Sequence, residues 1–354
     1  HVHYLPYQLW RYNKLEKDDA NRVFRLAGNL TLLGTGETKL MPFDGTLFAL
    51  ESDLHGAGTV LMTMHSGAYS ATCGAHEVSG DNSDFAGRFC LTMPDGTRSG
   101  QTVPSDSYFL KAYFAGSSSL GGPMSAFCHD AIRIDQNSWV SFDSPTVLDQ
   151  ANRGLCVQKV ARFNVTPANS FTVKTPLTLQ GQLRVEGNGV LALGGRLRFG
   201  FNDNLDDATA PTAGNNKLMA LSGGLKPLST NAWDGAEVCV ASTGWLAYDV
   251  NPTAPGMKEY GPVNVKWTTP LSVVGAGSTV AVKFYAGASE PTREHSVALG
   301  TFANATVAKS VLDRLTIQNP YAHFKARTEV RGNADGTATV VCTFWKPGLM
   351  LILR

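Results

Sequence analysis

Asp203, Asp206 and Asp207 fall within the run Asn202-Asp-Asn-Leu-Asp-Asp207 and form a compact group of hard oxygen donors. Calcium takes six to eight such oxygens from carboxylates and carbonyls, so this run could bind calcium. It lacks the twelve-residue calcium-loop pattern, and a solvated polar loop is the competing reading. Six cysteines, Cys73, Cys90, Cys128, Cys156, Cys239 and Cys342, lie far apart with no C-x-x-C pair. Their even number fits disulfides in a secreted protein, with buried thiols as the alternative. Cys73 with Cys90, seventeen residues apart, is the first candidate pair, closing a loop worth about 3 kcal/mol. Zinc is not indicated, because no two cysteines or histidines share ligand spacing. A chain opening at His1 rather than Met reads as a processed or trimmed start. There the amine, two amides and His3 could hold Cu(II) in a square plane. Asp81 and Asp84 sit in Ser79-Gly-Asp-Asn-Ser-Asp84, where Asp and Asn accept local backbone hydrogen bonds, and read as turn residues rather than a catalytic pair.

Other chemistries lack their markers. There is no Gly-x-Ser-x-Gly elbow, phosphate-binding loop, dinucleotide fingerprint or His-Glu-x-x-His. A net charge of +1 with no basic run removes the electrostatic footprint of a nucleic-acid binder. No segment approaches the ~20 apolar residues of a membrane-spanning helix. Sequons at Asn29, Asn164 and Asn304 are what chance yields in a chain rich in Ser and Thr.

The elements that would position these residues are short strands. Between Leu177 and Gly200, apolar residues fall at Leu177, Leu179, Leu183, Val185, Leu191, Leu193, Leu197 and Phe199, the second four repeating the first after fourteen residues. Within each run the alternation has period two, which puts Thr178, Gln182, Arg184, Arg196 and Arg198 on the outer face. Glycines end each run, where corners favour residues free to take positive φ. The 36 glycines exceed the roughly 7% of an average chain. Brief alternating strands, glycine corners and self-similarity predict an all-β chain: a parallel β-helix, or β-solenoid, with a C-terminal β-rich module or cap.

The organisation divides into an N-terminal lead-in over 1–27, the solenoid over 28–201, a loop over 202–217 and a C-terminal β-rich module over 218–354. One helix is predicted at Thr306–Leu315, with Val307, Val311, Leu312 and Leu315 on one face. Strands at 328–331 and 337–345 flank Gly-Asn-Ala-Asp-Gly, a hairpin signal.

Ser79-Gly-Asp-Asn-Ser-Asp-Phe-Ala-Gly-Arg-Phe89 resembles the repeat of autotransporter-type passenger proteins, and Leu54-His-Gly-Ala-Gly-Thr-Val-Leu61 looks like the strand preceding it. The 177–200 block is similar to the same proteins. Residues 245–270 and 335–354 look like the carboxy-terminal region of large repeat-bearing bacterial surface proteins. The resemblance covers about a third of the chain and implies a right-handed parallel β-helix, secretion, and an adhesive or structural role.

The expected protein is therefore an extracellular or cell-surface structural or adhesive protein, with no cofactor, whose partners are itself, glycans or a host surface. It would assemble into filaments by strand addition, using Tyr4, Tyr7 and Trp10 at one end or Phe344, Leu349 and Leu351 at the other. The rivals are a secreted carbohydrate-active β-helix enzyme, lyase or hydrolase, and a glycan-binding module using Trp139, Trp233, Trp245 or Trp267. An exposed groove lined by carboxylates would favour the enzyme.

Overall fold

The computed structural model describes residues 23–40, 47–63, 75–92, 110–135, 137–211, 215–229, 231–250, 272–274, 279–286 and 294–347. Its strands stack in parallel into long sheets that form the sides of a coil. A ten-stranded sheet runs from Val23–Leu26 to Ser272–Val274. An early seven-stranded sheet runs from Glu37–Leu40 to Leu197–Arg198. A late seven-stranded sheet runs from Thr146–Leu148 to Leu315–Gln318. Before the late sheet begins, the paired strands Asn29–Leu32 and Asp53–Gly56 make a small sheet of their own. This is a parallel β-helix.

One rung passes through Arg153–Val157, Val160–Asn164 and Ser170–Val173 in turn, and the next through Leu177–Leu179, Gln182–Glu186 and Val190–Leu193. Leu155 pairs with Leu177 and Leu177 with Leu197, so these two rungs take 22 and 20 residues, while insertions lengthen others, as between Phe89 and its partner Ile132. The fourteen-residue similarity within 177–200 links two sides of the coil and is not its period. Leu179, Leu183, Val185, Leu191, Leu193 and Leu197 are buried as the alternation requires, and Phe199 is partly buried against the same core. Rings stack through the interior: Phe114 and Phe142 centroids lie 6.3 Å apart, Phe142 and Phe171 4.1 Å.

Gly187 takes the expected positive φ, at 86°, whereas the corners at Gly181 and Gly195 need glycine for another reason. A Cβ on Gly181 would sit 2.0 Å from the Lys159 carbonyl oxygen, and one on Gly195 1.7 Å from that of Thr175. These corners need glycine because successive rungs touch there, which is a packing constraint of the stack.

The coil does not stop at the 202–217 loop. Lys217–Ala220 pairs with Gln182–Glu186 and Gly224–Pro227 with Val190–Leu193, so only the early sheet ends there. The proposed 218–354 module is thus divided. Its strands as far as Leu315–Gln318 include further rungs, and the antiparallel sheet His295–Phe302, Ala338–Trp345, Lys325–Gly332 is the cap. The predicted hairpin is present within that sheet. The helix spans Ala305–Leu312, capped by the Asn304 side chain accepting from Val307 N–H at 3.0 Å. Leu315 belongs instead to the final parallel strand.

Cap and coil share one core. Phe344 meets Phe284 edge-on at 4.9 Å, and the Tyr248 hydroxyl donates to the Leu299 carbonyl at 2.6 Å. Phe344 is fully buried in its own chain, so it is not available as an assembly contact. Tyr4, Tyr7, Trp10, Leu349 and Leu351 lie outside the described residues, as do His1 and His3. Among the described residues, no helix is long and apolar enough to cross a membrane.

Candidate functional site: a buried polar layer and two grooves

Along the early sheet, pairing places Leu61, Cys90, Arg133, Cys156, Thr178 and Arg198 in one outward-facing row. Outward positions on a solenoid are ordinarily wet, yet Cys90, Cys156, Thr178 and Arg198 are each 1% exposed or less. The reason is a second layer. Arg198 Nη2 donates to the carbonyl and side-chain oxygens of Asn202 at 3.0 and 3.3 Å and to the Asn204 carbonyl, and its guanidinium lies 5.0 Å over the Phe127 ring. The expectation that Arg198 faces solvent is corrected accordingly. Its neighbour Arg196 is exposed and Arg184 half-buried.

A bulge supplies the other half of this layer. Cys128 pairs with Arg153 and Ile132 with Leu155, so four steps along one strand face two along the other. The extra residues lift His129 to Ala131 off the ladder, as bulges do beside functional sites. Gly154 sits opposite, where a Cβ would come 2.7 Å from the His129 carbonyl oxygen. Asp203 reaches in from the loop and accepts from His129 twice, from the main-chain N–H at 2.8 Å and from Nδ1 at 2.6 Å. Cys128 Sγ lies 3.2 Å from Asp130 Oδ1, and Asp130 is held by Arg88 at 3.3 Å and Arg133 at 3.4 Å. Arg133 also meets Asp135 at 3.0 Å and Cys90 Sγ at 3.1 Å.

Burial, with Asp135 adding to it, pushes the Cys90 thiol up to about 12; burial and then Asp130 push Cys128 to about 11. Both remain thiols at neutral pH and are poor nucleophiles. Burial works against ionised Asp203, but its bonds from His129 outweigh that and hold its carboxyl below the usual range.

The sequence-based site residues are redistributed. Asp203, Asp206 and Asp207 do not converge on one point. Asp203 turns to His129, while Asp207 accepts from the Thr209 hydroxyl at 2.7 Å and from Asn202 at 3.0 Å. Asp206 stays exposed in the loop. Cys90, Cys128, Cys156, Cys239 and Cys342 are buried free thiols, and Cys73 lies outside the described residues. The disulfide expectation fails for those five, because their strand positions place them beside Arg133, Asp130 or core side chains rather than beside each other. Asp81 is a turn residue, accepting from Ser83 N–H at 3.1 Å.

Two grooves accompany the layer. At the end of the early sheet a space of about 590 Å³ is lined by Arg196, Arg198, Asp207, Thr209, Asn231 and Asp234. On the late sheet, one of about 280 Å³ is lined by Asn169, Ser170, Asn188, Ala192, Lys226 and Tyr285. Tyr285 is 41% exposed, and its hydroxyl accepts from Trp245 Nε1 at 3.3 Å. Lys226 pairs with Asp249 at 2.6 Å. The tryptophans do not provide an open platform: Trp233 and Trp245 are buried, Trp139 is half-buried with Lys111 Nζ 5.0 Å from its ring, and Trp267 is outside the described residues. Sequence reasoning missed Tyr285 and the tripeptide Cys128-His129-Asp130. The tripeptide's three consecutive potential ligands were the available signal.

No protein-family model, curated protein or solved structure matches this chain.

Proposed function

We propose that this chain is an extracellular structural or adhesive surface protein built as a rigid rod. The observation that supports this best is the single core running through successive rungs into the chain's own C-terminal cap. Cross-rung hydrogen bonds and a continuous apolar interior make such a coil stiff, while its outer faces vary freely. Asp130, the carboxylate most central to the early face, is buried and paired to two arginines, which argues against a lyase or hydrolase there.

Self-assembly, in this reading, uses the N-terminal end. Val23–Leu26, Asn29–Leu32 and Glu37–Leu40 are the outermost described strands of their sheets, and Leu33 beside them is 86% exposed. Edge strands of a parallel coil offer N–H and C=O groups to which a further strand can add. The opposite end is closed by the cap, whose outer strand carries Lys325, Arg327, Glu329 and Arg331, charges that discourage pairing.

A second reading, glycan binding, draws on the late-sheet groove. Tyr285 supplies an apolar ring face held in place, and the amides and the Lys226–Asp249 pair supply donors and acceptors for vicinal hydroxyls. Immunogold labelling of native cells tests the rod: label on the surface or on surface fibres is expected, and label confined to the cell interior overturns it. Titration with a panel of neutral oligosaccharides separates the readings, since binding lost in Tyr285→Ala supports the glycan module.

A further inference from the structure

We propose that Cys128, Asp130 and Asp203 form a binding site for a thiophilic divalent cation, with zinc the best fit. One ligand atom from each of the three lies within 4.8 Å of the other two. Ligand atoms around a tetrahedral zinc, at about 2.0–2.3 Å from the metal, stand roughly 3.5 Å apart. Cys128 Sγ and Asp130 Oδ1, at 3.2 Å, are therefore close to the needed spacing before any ion enters. A thiolate among carboxylates selects against calcium and magnesium, which take oxygen ligands, and for zinc or a similar borderline metal.

The surrounding shell is arranged as metal sites require. Arg133 meets Oδ2 of Asp130 at 3.4 Å, and Oδ1, which Arg88 approaches at 3.3 Å, is the oxygen that faces Cys128. His129 holds Asp203 through its main-chain N–H and Nδ1, so the loop carboxylate is orientated by two donors from the bulge. Outer partners of this kind fix ligand geometry and tune affinity. Nδ1 of His129 is the ring nitrogen turned to the ligands, 2.6 Å from Asp203 Oδ1 and 4.0 Å from Asp130 Oδ1. The three ligands leave a fourth position for solvent.

Such an ion would be a clasp. It ties the bulged strand to the 202–211 loop at the place where the early sheet ends and Arg198 depends on that loop for cover. The site is independent of whether the rod is adhesive, structural or glycan-binding.

The test uses the full chain stripped of metal by a chelator and titrated with Co(II), then zinc. One cobalt per chain with a thiolate-to-cobalt charge-transfer band, displaced by zinc, is expected. Cys128→Ser should abolish the band, and Asp203→Asn should abolish or greatly weaken binding. His129→Ala should weaken binding about ten- to a hundred-fold, the usual effect of losing an outer partner. Zinc should raise the Tm of the parent chain and leave that of Cys128→Ser unchanged. Should Cys128→Ser fold poorly, X-ray absorption on the zinc-loaded parent decides the matter, with one sulfur and the remaining ligands oxygen or nitrogen expected. Absence of a cobalt–thiolate band, a sulfur-free zinc shell, or undiminished binding in Asp203→Asn overturns the proposal.

Discussion

Arg153 offers the sharpest test of how the rungs are held together. Its side chain is fully buried, with Nε donating to the Gly122 carbonyl at 2.8 Å and Nη1 to Ala131 at 3.3 Å. Nη2 donates to Phe85 and Gly87, both at 2.8 Å. One guanidinium thus links carbonyls of three rungs with its fork of donors, a task a single ammonium cannot match. Replacing it with methionine keeps the stem and removes the donors. The Phe85 carbonyl keeps its bond from Gly122 N–H at 2.9 Å, while the other three lose their guanidinium partner. A buried acceptor left unmade costs about 1–3 kcal/mol, so three cost about 6 kcal/mol. Against this, burial lowers the Arg153 pKa from 12.5 to about 10, which means that holding the proton in the dry site costs roughly 3 kcal/mol. Methionine recovers that part. The net expected loss for Arg153→Met is about 3 kcal/mol, and Arg153→Lys should lose less than Met but remain measurable. Urea denaturation with unchanged slope would read the loss, and faster amide exchange at Gly122 would localise it. A change below about 1 kcal/mol would falsify the idea that these four bonds tie the rungs.

Four further outcomes follow from the same structure. His76 lies in the core with Nε2 on the Thr63 carbonyl at 3.0 Å, and burial lowers its pKa from 6.5 to about 4. The unfolded chain therefore binds this proton first, so stability should be full above pH 6.5 and fall by roughly 3 kcal/mol towards pH 4, a slope that His76→Phe flattens in acid titration of the folded fraction. Leu193→Ala, at a position 1% exposed in the stack, should cost about 2–5 kcal/mol by denaturant midpoint. Tyr248→Phe removes the bond to Leu299 that joins coil to cap; a loss of about 1 kcal/mol, with protease sensitivity appearing first in 294–347, is expected. Thiol titration should find at least five reactive cysteines in denatured, unreduced protein, and slow reaction of the buried ones in the native state.

The architecture was legible because period-two alternation is local. Leu183 and Val185 point inward whatever lies on either side of them, so strands, core positions and the 328–345 hairpin could be read from neighbours in the chain. What no local pattern carries is which rung lies under which. That pairing set the spacing of the regular rungs over 155–197 at 20 to 22 residues, carried the coil past residue 217, and gave Gly195 its role against Thr175 on the preceding rung. It also decided what covers an outward side chain. Arg198 reads as a solvent-facing residue by alternation and is buried because a loop four residues later folds back over it. Asp203 reads as part of an acidic run and is drawn away from Asp206 and Asp207 by His129, seventy-four residues earlier in the chain. A side chain's direction follows from backbone geometry within a strand, but its partners depend on surfaces brought together by folding, and those determine charge, burial and chemistry.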